Sequence, residues 1–301
     1  MPNDFIQYIR SVRRYSERTC ESYSKVLESF LGYIGPDSLP TINNVRSYEV
    51  HLMDECGMNP KSVSMHLSVL SSYCRYLVKQ GKLKSNPVRL VKRPRTPKQL
   101  AKFYKNEEIE RYFQDNQGVL QYGSYERALN YMIINVLYCT GVRRSELISL
   151  NRHSFDASRK VLRVLGKGDK MREIPLSSRL CDDFLLYLQS LGSLKYADIS
   201  AEAPLLQTPR GKRLYPVFID RVVKEELGCS GINGQLSPHV LRHTIASQLL
   251  EEGSDINSIK EMLGHSSLAA TQVYTHNSIQ RLKSVYINAH PRAKNGGNYG
   301  D

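Results

Sequence analysis

Prolines and basic residues interrupt this chain about one third of the way along. Asn86-Pro87, Arg93-Pro94 and Thr96-Pro97 disfavour helix, because proline has no amide hydrogen and restricts the residue before it. Apolar residues at helical spacing occur on both sides of the interruption. We therefore predict an extended hinge from Ser85 to Leu100 that joins two separately folded parts.

The length of the chain supports the same division. Its 301 residues exceed the usual size of one hydrophobic core. We predict a small helical domain over residues 1–90, a basic linker over 91–103 and a second domain over 104–301. The second domain is expected to be mainly α-helical with one small β-sheet.

The charge of the chain is unbalanced and concentrated. The 42 Lys and Arg residues exceed the 29 Asp and Glu residues by 13, which favours nucleic acid as a partner and, second, an anionic membrane surface. A linker that follows phosphates would exclude acidic residues, whereas the alternative is a linker that is merely solvated. From Lys82 to Lys105 the chain has no acidic residue and nine basic ones: Lys82, Lys84, Arg89, Lys92, Arg93, Arg95, Lys98, Lys102 and Lys105.

Four amphipathic helices are predicted in the first domain. Their apolar residues recur at intervals of three and four, and glycines at positions 35, 57 and 81 mark three of the ends. The apolar stripes indicate core packing. They are Phe5, Ile9 and Val12; Val26, Leu27, Phe30, Leu31 and Ile34; the segment Val45–Cys56; and Val63, Leu67, Leu70, Cys74 and Leu77.

In the second domain, helix should restart near Asn106, where acidic residues occupy the first turn. The segment Ala128–Cys139 is too short to span a bilayer and predicts a buried helix. Val161–Leu165 and Met171–Pro175 predict two strands joined by the turn Gly166–Lys170. That turn lacks the spacing of a nucleotide-binding P-loop. It is either a plain hairpin with a solvated lysine or a finger that projects Lys167 into DNA.

Arg143 follows an apolar helix and a glycine turn, and a new helix opens directly after it. A guanidinium at the junction of two buried helices needs an anion. That anion is either the carboxylate of Glu146, which would be a structural pairing, or an external ligand.

The last third of the chain holds further candidate residues. His239 and Arg242 are three apart and share one face of a helix, His265 follows a glycine that ends the next helix, and Tyr274 lies nine residues later. Cationic donors and a phenol aimed at one place would suit a phosphodiester. A zinc site at His239 and His243 is a weak alternative, since no acidic ligand lies nearby.

Cysteine usage and the start of the chain indicate the compartment. The six cysteines include no C-x-x-C pair, which predicts reduced thiols rather than a disulfide framework or a zinc knuckle. Residues 1–14 have no apolar segment typical of a secretory signal. A cytoplasmic, nucleoid-associated localisation is therefore expected.

These motifs occur together in one order, and in that combination the chain resembles the tyrosine site-specific recombinases, most closely the Xer-type members. The resemblance covers nearly the whole chain. Ile245, where these enzymes often carry Phe, and Asp169 after the hairpin glycine are departures that concern only the subfamily. The motifs are T-G-V-R-R-S-E-L around Arg143, G-K-G around Lys167, His239-x-x-Arg242, L-G-His265 and T-Q-V-Y-T-H around Tyr274.

The resemblance implies a fold and a chemistry. The first domain would be a helical, SAM-like domain that binds the core DNA site, and the second an α+β catalytic domain. Tyr274 would attack the scissile phosphate to give a 3′-phosphotyrosyl link, while Arg143, Arg242 and His265 bind the phosphate oxygens. His239 would take the proton of Tyr274, and Lys167 would protonate the leaving 5′-oxygen. Neither a metal nor another cofactor is expected.

The resemblance also suggests partners. The substrate would be double-stranded DNA with short inverted core sites, because the first helix starts almost at Met1 and leaves no room for an additional arm-binding domain. An apolar stripe within residues 278–293 would either dock on its own domain or, as the resemblance suggests, pack on a neighbouring protomer in a homotetramer or in a heterotetramer with a related recombinase. The expected DNA contacts are Lys92, Arg93, Arg95, Lys98 and Lys170. An accessory DNA-binding protein and a type IB topoisomerase-like nicking-closing enzyme are the alternatives.

Overall fold

The computed structural model describes residues 2–95, 104–166, 169–232 and 236–264, except for the side chain of Lys260. The chain separates into two compact units, Met1–Gln99 and Leu100–Asp301. Each unit has a hydrophobic core of its own.

The described residues of the first unit form four α-helices, as the apolar stripes predict. Side chains of Ser16, Thr41 and Asn59 accept backbone hydrogen bonds at the starts of the second, third and fourth helices. A short π-helical segment, His51–Glu55, continues the third helix. The helices are α1 (Pro2–Ser11), α2 (Glu17–Ile34), α3 (Ile42–Val50) and α4 (Pro60–Lys79).

Most residues of the predicted stripes form the core of this unit. Ile34 is only half-buried, and Val50 in the third segment is 56% exposed. Phe5 and Ile9 are buried, but Val12 lies beyond the end of α1 and is 65% exposed. The helix stops at Ser11, so the three-residue spacing that would carry Val12 to the buried face does not continue.

The predicted extended hinge from Ser85 to Leu100 is wrong over its first part. Residues Pro87–Leu90 form a 3-10 helix, and Val88 and Val91 are buried in the core of the first unit. The Asn86 side chain fixes this turn by accepting from the Val88 amide at 3.1 Å and donating to the Ser71 carbonyl at 3.1 Å. Proline suits such a turn because its fixed φ starts a helical turn without needing an amide hydrogen.

The second unit is also mainly helical, which confirms the predicted fold class. None of the described helices is long and apolar enough to cross a membrane. Its helices are α5 (Asn106–Asp115), α6 (Val119–Tyr122), α7 (Tyr125–Thr140), α8 (Arg144–Ser149), α9 (Ser178–Gly192), α10 (Pro216–Cys229), α11 (Pro238–Glu251) and α12 (Ile256–Leu263).

A three-stranded antiparallel sheet lies between α8 and α9 in the chain, in the order β1 (Phe155–Asp156), β2 (Val161–Leu165) and β3 (Met171–Pro175). β2 and β3 have the predicted bounds, and the sequence analysis did not anticipate the short β1. In the hairpin, Leu165 pairs with Met171.

Helix α7 runs through the core of the second unit. Every residue from Tyr131 to Thr140 is buried, as predicted for the apolar segment Ala128–Cys139. The packed faces of α11 and α12 complete this core with Leu241, Ile245 and Leu263. The ends of α7 and α12 and the start of α8 consequently come together at one place.

Candidate active site

Gly141 brings Arg143 to this place. Gly141 ends α7 in the left-handed conformation, with φ of 59°, and a Cβ atom there would lie 2.5 Å from Cδ2 of Leu263. Only glycine lets the chain reverse this close to α12. Arg143 then precedes α8, and its side chain remains 31% exposed.

Arg143 is held by one carboxylate and one carbonyl. Its Nη1 donates to Oε1 of Glu146 at 2.8 Å, and its Nη2 donates to the Gly264 carbonyl at 2.9 Å. The backbone amide of Arg143 also donates to Oε2 of Glu146 at 2.8 Å. The structural pairing that the sequence left open is therefore present, but Glu146 is not used by Arg143 alone.

Glu146 has a second partner, Arg172 of β3. Arg172 donates from Nη1 and Nη2 to the two carboxylate oxygens at 3.0 and 2.8 Å, and both residues are 4% exposed. Burial by itself raises the pKa of Glu146, but the hydrogen bonds and charges of Arg172 and Arg143 outweigh it and hold the pKa below its usual value. Glu146 is therefore an anion shared by two cations.

Arg242 lies on α11 and is 7% exposed. Its Nη1 donates to the Gly141 carbonyl and its Nη2 to the Leu263 carbonyl. Burial lowers its pKa to about 10, with Arg143 acting in the same direction, so the side chain keeps its charge at neutral pH. Among the described residues, no carboxylate forms an ion pair with Arg242. A buried cation without a counterion favours an anionic ligand.

His239 lies one turn before Arg242 on α11 and is exposed. Partial desolvation lowers the pKa of its imidazole, and the nearby cation Arg144 lowers it further. The neutral ring that results at pH 7 is the form that accepts a proton. Within the described ranges, no group of three or more His, Cys, Asp or Glu side chains could hold a metal ion.

Several predicted site residues fall outside the described residues: Lys167, His265, Tyr274 and the linker residue Lys98. The glycines that directly precede Lys167 and His265 are described. Gly166 follows β2 and donates from its amide to the Lys170 carbonyl at 2.8 Å, and Gly264 follows α12 with φ of 65°. Both glycines lie beside the Arg172 guanidinium, which would be 3.4 and 3.0 Å from a Cβ atom at these two positions.

The predicted DNA contacts that are described lie at the surface. Lys92, Arg93 and Arg95 are exposed, and Lys170 is exposed in the hairpin turn directly before β3. Arg93 is partly fixed, because its Nη1 donates to Oγ of Ser68 on α4 at 2.9 Å.

Sequence reasoning missed Arg172. The available signal was the alternation of β3, in which Arg172 shares its buried face with Ile174. A charged residue on the buried face of a strand requires a partner. Its partner Glu146 is 26 residues earlier, which no local pattern indicates.

The arrangement can bind an oxyanion. Arg143 and Arg242 approach the same pair of turns, at Gly141 and at Leu263–Gly264, and bring two guanidinium groups there. Guanidinium groups suit the non-bridging oxygens of a phosphate because each can donate two parallel hydrogen bonds.

Two family comparisons cover most of the chain. Residues 103–281 match the phage integrase family, and residues 3–81 match the N-terminal SAM-like domain of phage integrases. The predicted SAM-like character of the first domain is thereby confirmed.

Individual relatives align over nearly the full length. The tyrosine recombinase XerC of Alcanivorax borkumensis is 34% identical over 297 residues, which covers 97% of this chain and 94% of that protein. The tyrosine recombinase XerC of Chlorobaculum parvum is 31% identical over 315 residues, with 96% and 94% covered.

Solved structures share the fold. The XerH site-specific recombinase bound to a palindromic difH substrate has a TM-score of 0.67 at 20% identity, over 94% of this chain and 83% of that one. A lambda integrase dimer bound to a COC′ core site has a TM-score of 0.61 at 16% identity, over 100% and 78%. The chain therefore belongs to the phage integrase family, and it is an Xer-like tyrosine recombinase that cleaves and rejoins DNA in site-specific recombination.

Proposed function

We propose that Arg143, Lys167, His239, Arg242, His265 and Tyr274 form the active site of this recombinase. The observation that carries the proposal is the placement of two guanidinium groups on the turns at Gly141 and Leu263–Gly264, where Arg242 is buried without an ion pair among the described carboxylates. His265 follows the second of these turns directly in the chain.

The reaction is a transesterification. The phenolic oxygen of Tyr274 forms a bond to the scissile phosphorus as the bond from phosphorus to the 5′-oxygen breaks, which leaves a 3′-phosphotyrosyl link and a 5′-hydroxyl. Arg143, Arg242 and His265 bind the non-bridging oxygens, whose charge grows as the phosphorane forms. Attack by the 5′-hydroxyl of another strand reverses the step, and the phosphodiester energy is kept in the covalent link.

Two protons must move in this step. An ordinary tyrosine has a pKa near about 10, so a base and nearby cations are needed. His239 takes the proton of Tyr274, and its lowered pKa supports this role because it favours the neutral imidazole. Lys167, in the hairpin between β2 and β3, gives a proton to the leaving 5′-oxygen.

The partner is double-stranded DNA with short inverted core sites. Four protomers act on two such sites, either as a homotetramer or as a heterotetramer with a related recombinase. The enzyme works in the cytoplasm, on the nucleoid. Lys92, Arg93, Arg95, Lys98 and Lys170 contact the phosphate backbone, and the exposure of the four described members supports this.

A nicked suicide duplex tests the nucleophile. A nick close to the scissile phosphate lets the cleaved fragment diffuse away, so the covalent protein–DNA adduct accumulates and is measured on a denaturing gel. Wild-type protein is expected to form the adduct with EDTA present, because no metal takes part. Tyr274→Phe should bind the duplex but form no adduct, since it lacks the attacking oxygen.

Tyr122→Phe is the matched control, because Tyr122 is 88% exposed and has no assigned role. It should form the adduct at the wild-type rate. An adduct that persists in Tyr274→Phe would refute the nucleophile, and an adduct that disappears with EDTA would refute metal-independent cleavage. Binding without any wild-type adduct would indicate an accessory DNA-binding protein.

A further inference from the structure

One buried ion pair lies against three of the segments that carry proposed phosphate-binding or proton-donating residues: the start of α8, the hairpin and the end of α12. Arg172 and Glu146 join β3 to α8, and Nε of Arg172 also donates to the Met262 carbonyl at 3.0 Å, near the end of α12. The pair therefore touches the segment of Arg143 directly and lies beside the glycines that precede Lys167 and His265.

Arg143 and Arg172 together fill the hydrogen-bonding capacity of Glu146. Oε1 accepts from Nη1 of Arg143 and Nη1 of Arg172, and Oε2 accepts from the Arg143 amide and Nη2 of Arg172. Four donors on two oxygens leave the carboxylate fully used. With its two positive charges and one negative charge, the cluster of Arg143, Glu146 and Arg172 carries a net charge of one positive unit.

The charge balance determines what Arg143 can do. If Glu146 had Arg143 as its sole partner, the two charges would cancel, and the guanidinium would be drawn to the carboxylate rather than to a phosphate. Arg172 supplies the second cation, and as it is 4% exposed it is far less accessible than Arg143, whose side chain is 31% exposed. The uncompensated charge is therefore presented at Arg143.

The packing around Arg172 has a second consequence. A Cβ atom at Gly264 would come within 3.0 Å of Nη1 of Arg172, and one at Gly166 would come within 3.4 Å of the same atom. The backbone of both turns thus lies against the planar guanidinium, where a side chain would be crowded. A lysine would keep the charge but lose the fork geometry that contacts Glu146 and Met262 together.

We propose that Arg172 is a positioning residue for strand cleavage: it balances the charge of Glu146, so that the positive charge of Arg143 is not cancelled and acts on the scissile phosphate, and it supports the turns at Gly166 and Gly264 beside α8. This inference rests on the proposed function. Because Arg172 is 4% exposed, we assign it no direct contact with DNA.

The test uses the full-length protein and the nicked suicide duplex in single-turnover measurements. Arg172→Met should slow adduct formation about 10- to 100-fold, which is the effect expected from losing charge-assisted hydrogen bonds. The apparent Kd for the duplex should change less than about threefold, because most phosphate contacts lie elsewhere. Arg172→Lys should fall between wild type and Arg172→Met.

The double variant Glu146→Gln/Arg172→Met separates charge balance from simple structural support. When an uncharged amide replaces the carboxylate, no negative charge at this position cancels the charge of Arg143. The double variant should therefore form adduct faster than Arg172→Met alone. A purely structural role predicts that the double variant is as slow or slower. Arg163→Met is the matched control, because Arg163 is an ion-paired arginine on the neighbouring strand, and its adduct rate should stay within about twofold of wild type.

Each outcome decides between the hypotheses. A wild-type rate in Arg172→Met, or a double variant no faster than Arg172→Met, overturns the positioning role. If Arg172→Met does not fold, as judged by circular dichroism, the same comparison is made between Arg172→Lys and Glu146→Gln/Arg172→Lys. Tyr274→Phe is measured in parallel, so that an adduct in that variant refutes the proposed function and is distinguished from a failure of the positioning role alone.

Discussion

Single residues fix the geometry of this site through their backbone conformation as much as through their charge. Gly141 and Gly264 both adopt positive φ, and each lets a helix end where an arginine side chain passes. These glycines have no side chain, but the Gly141 carbonyl accepts a hydrogen bond from Arg242 and the Gly264 carbonyl accepts one from Arg143. The arginines are consequently oriented by backbone oxygens and not solely by carboxylates.

Replacing Gly141 should therefore affect stability and cleavage together. In Gly141→Ala the new Cβ would lie 2.5 Å from Leu263 and would occupy a left-handed conformation, so we expect a loss of about 1–3 kcal/mol in the free energy of unfolding. Adduct formation should slow as well, because the Gly141 carbonyl holds Arg242. Chemical denaturation followed by circular dichroism measures the first effect and the suicide duplex the second.

Gly192→Ala is the control for this change. Gly192 is the last residue of α9, and no atom lies within 4 Å of a Cβ built there. Its substitution should change the free energy of unfolding by less than about 1 kcal/mol, in the stabilising direction. Equal effects of the two substitutions would contradict the steric argument.

At the scale of elements, the basic stretch after α4 differs most from expectation. Its first part is a 3-10 helix packed on the first unit, and Arg93 is tied to α4 through Ser68. The basic side chains that follow are therefore anchored at one end to a folded surface. Anchored cations lose less conformational entropy on binding a phosphate than cations on a free coil.

Neutralising the basic side chains of this stretch should weaken binding to all DNA sequences alike. In the triple variant Lys92→Gln, Arg93→Gln, Arg95→Gln, the slope of log K against log salt should flatten by about 0.9 for each phosphate that the protein no longer neutralises. The slope is measured by titrating the protein with specific and with unrelated duplexes at several salt concentrations.

A second triple variant controls for net charge. Arg10, Arg159 and Arg163 each already pair with a carboxylate, so converting them to Gln removes the same charge but should alter the slope less. An unchanged slope in the first variant, or equal slopes in the two, would exclude the stretch after α4 as a phosphate-contacting segment.

On the scale of the whole molecule, the chain comprises two units with separate cores, and the proposed assembly depends on residues outside the described ranges. The apolar stripe of Ile279, Leu282, Val285 and Ala289 has the spacing of one helical face. We propose that these residues form a helix that is exchanged between protomers.

Acidic substitutions in that stripe should prevent assembly of the protomers without weakening DNA binding. Leu282→Asp with Val285→Asp should bind a single core site as tightly as wild type but fail to join two sites in one complex, because the burial of a charged residue between protomers is costly. Mass photometry of protein–DNA complexes measures the number of protomers. Ser284→Asp with Asn288→Asp, which lie off the stripe, should still assemble. Normal assembly by the first variant would contradict the role of this stripe.

Much of the fold was predictable because it depends on local patterns. The helical stripes predicted α2 and α4, and the apolar segment Ala128–Cys139 predicted α7. The short segments Val161–Leu165 and Met171–Pro175 on either side of a tight turn predicted the hairpin with its bounds. Val12 and the turn at Pro87–Leu90 were not predicted correctly, since the end of a helix and the burial of a turn depend on neighbouring elements.

The sequence by itself determined the helical character of both units, the hairpin, the order of the candidate residues and the family that their combination indicates. Each of these follows from residue types at short spacing, where propensity and periodicity act. The tertiary structure alone decided that Glu146 is shared between Arg143 and Arg172, and that Arg242 is buried on backbone carbonyls. Partners separated by 26 and 101 residues meet only when the helices pack, and the balance of charge at the site is fixed at that stage.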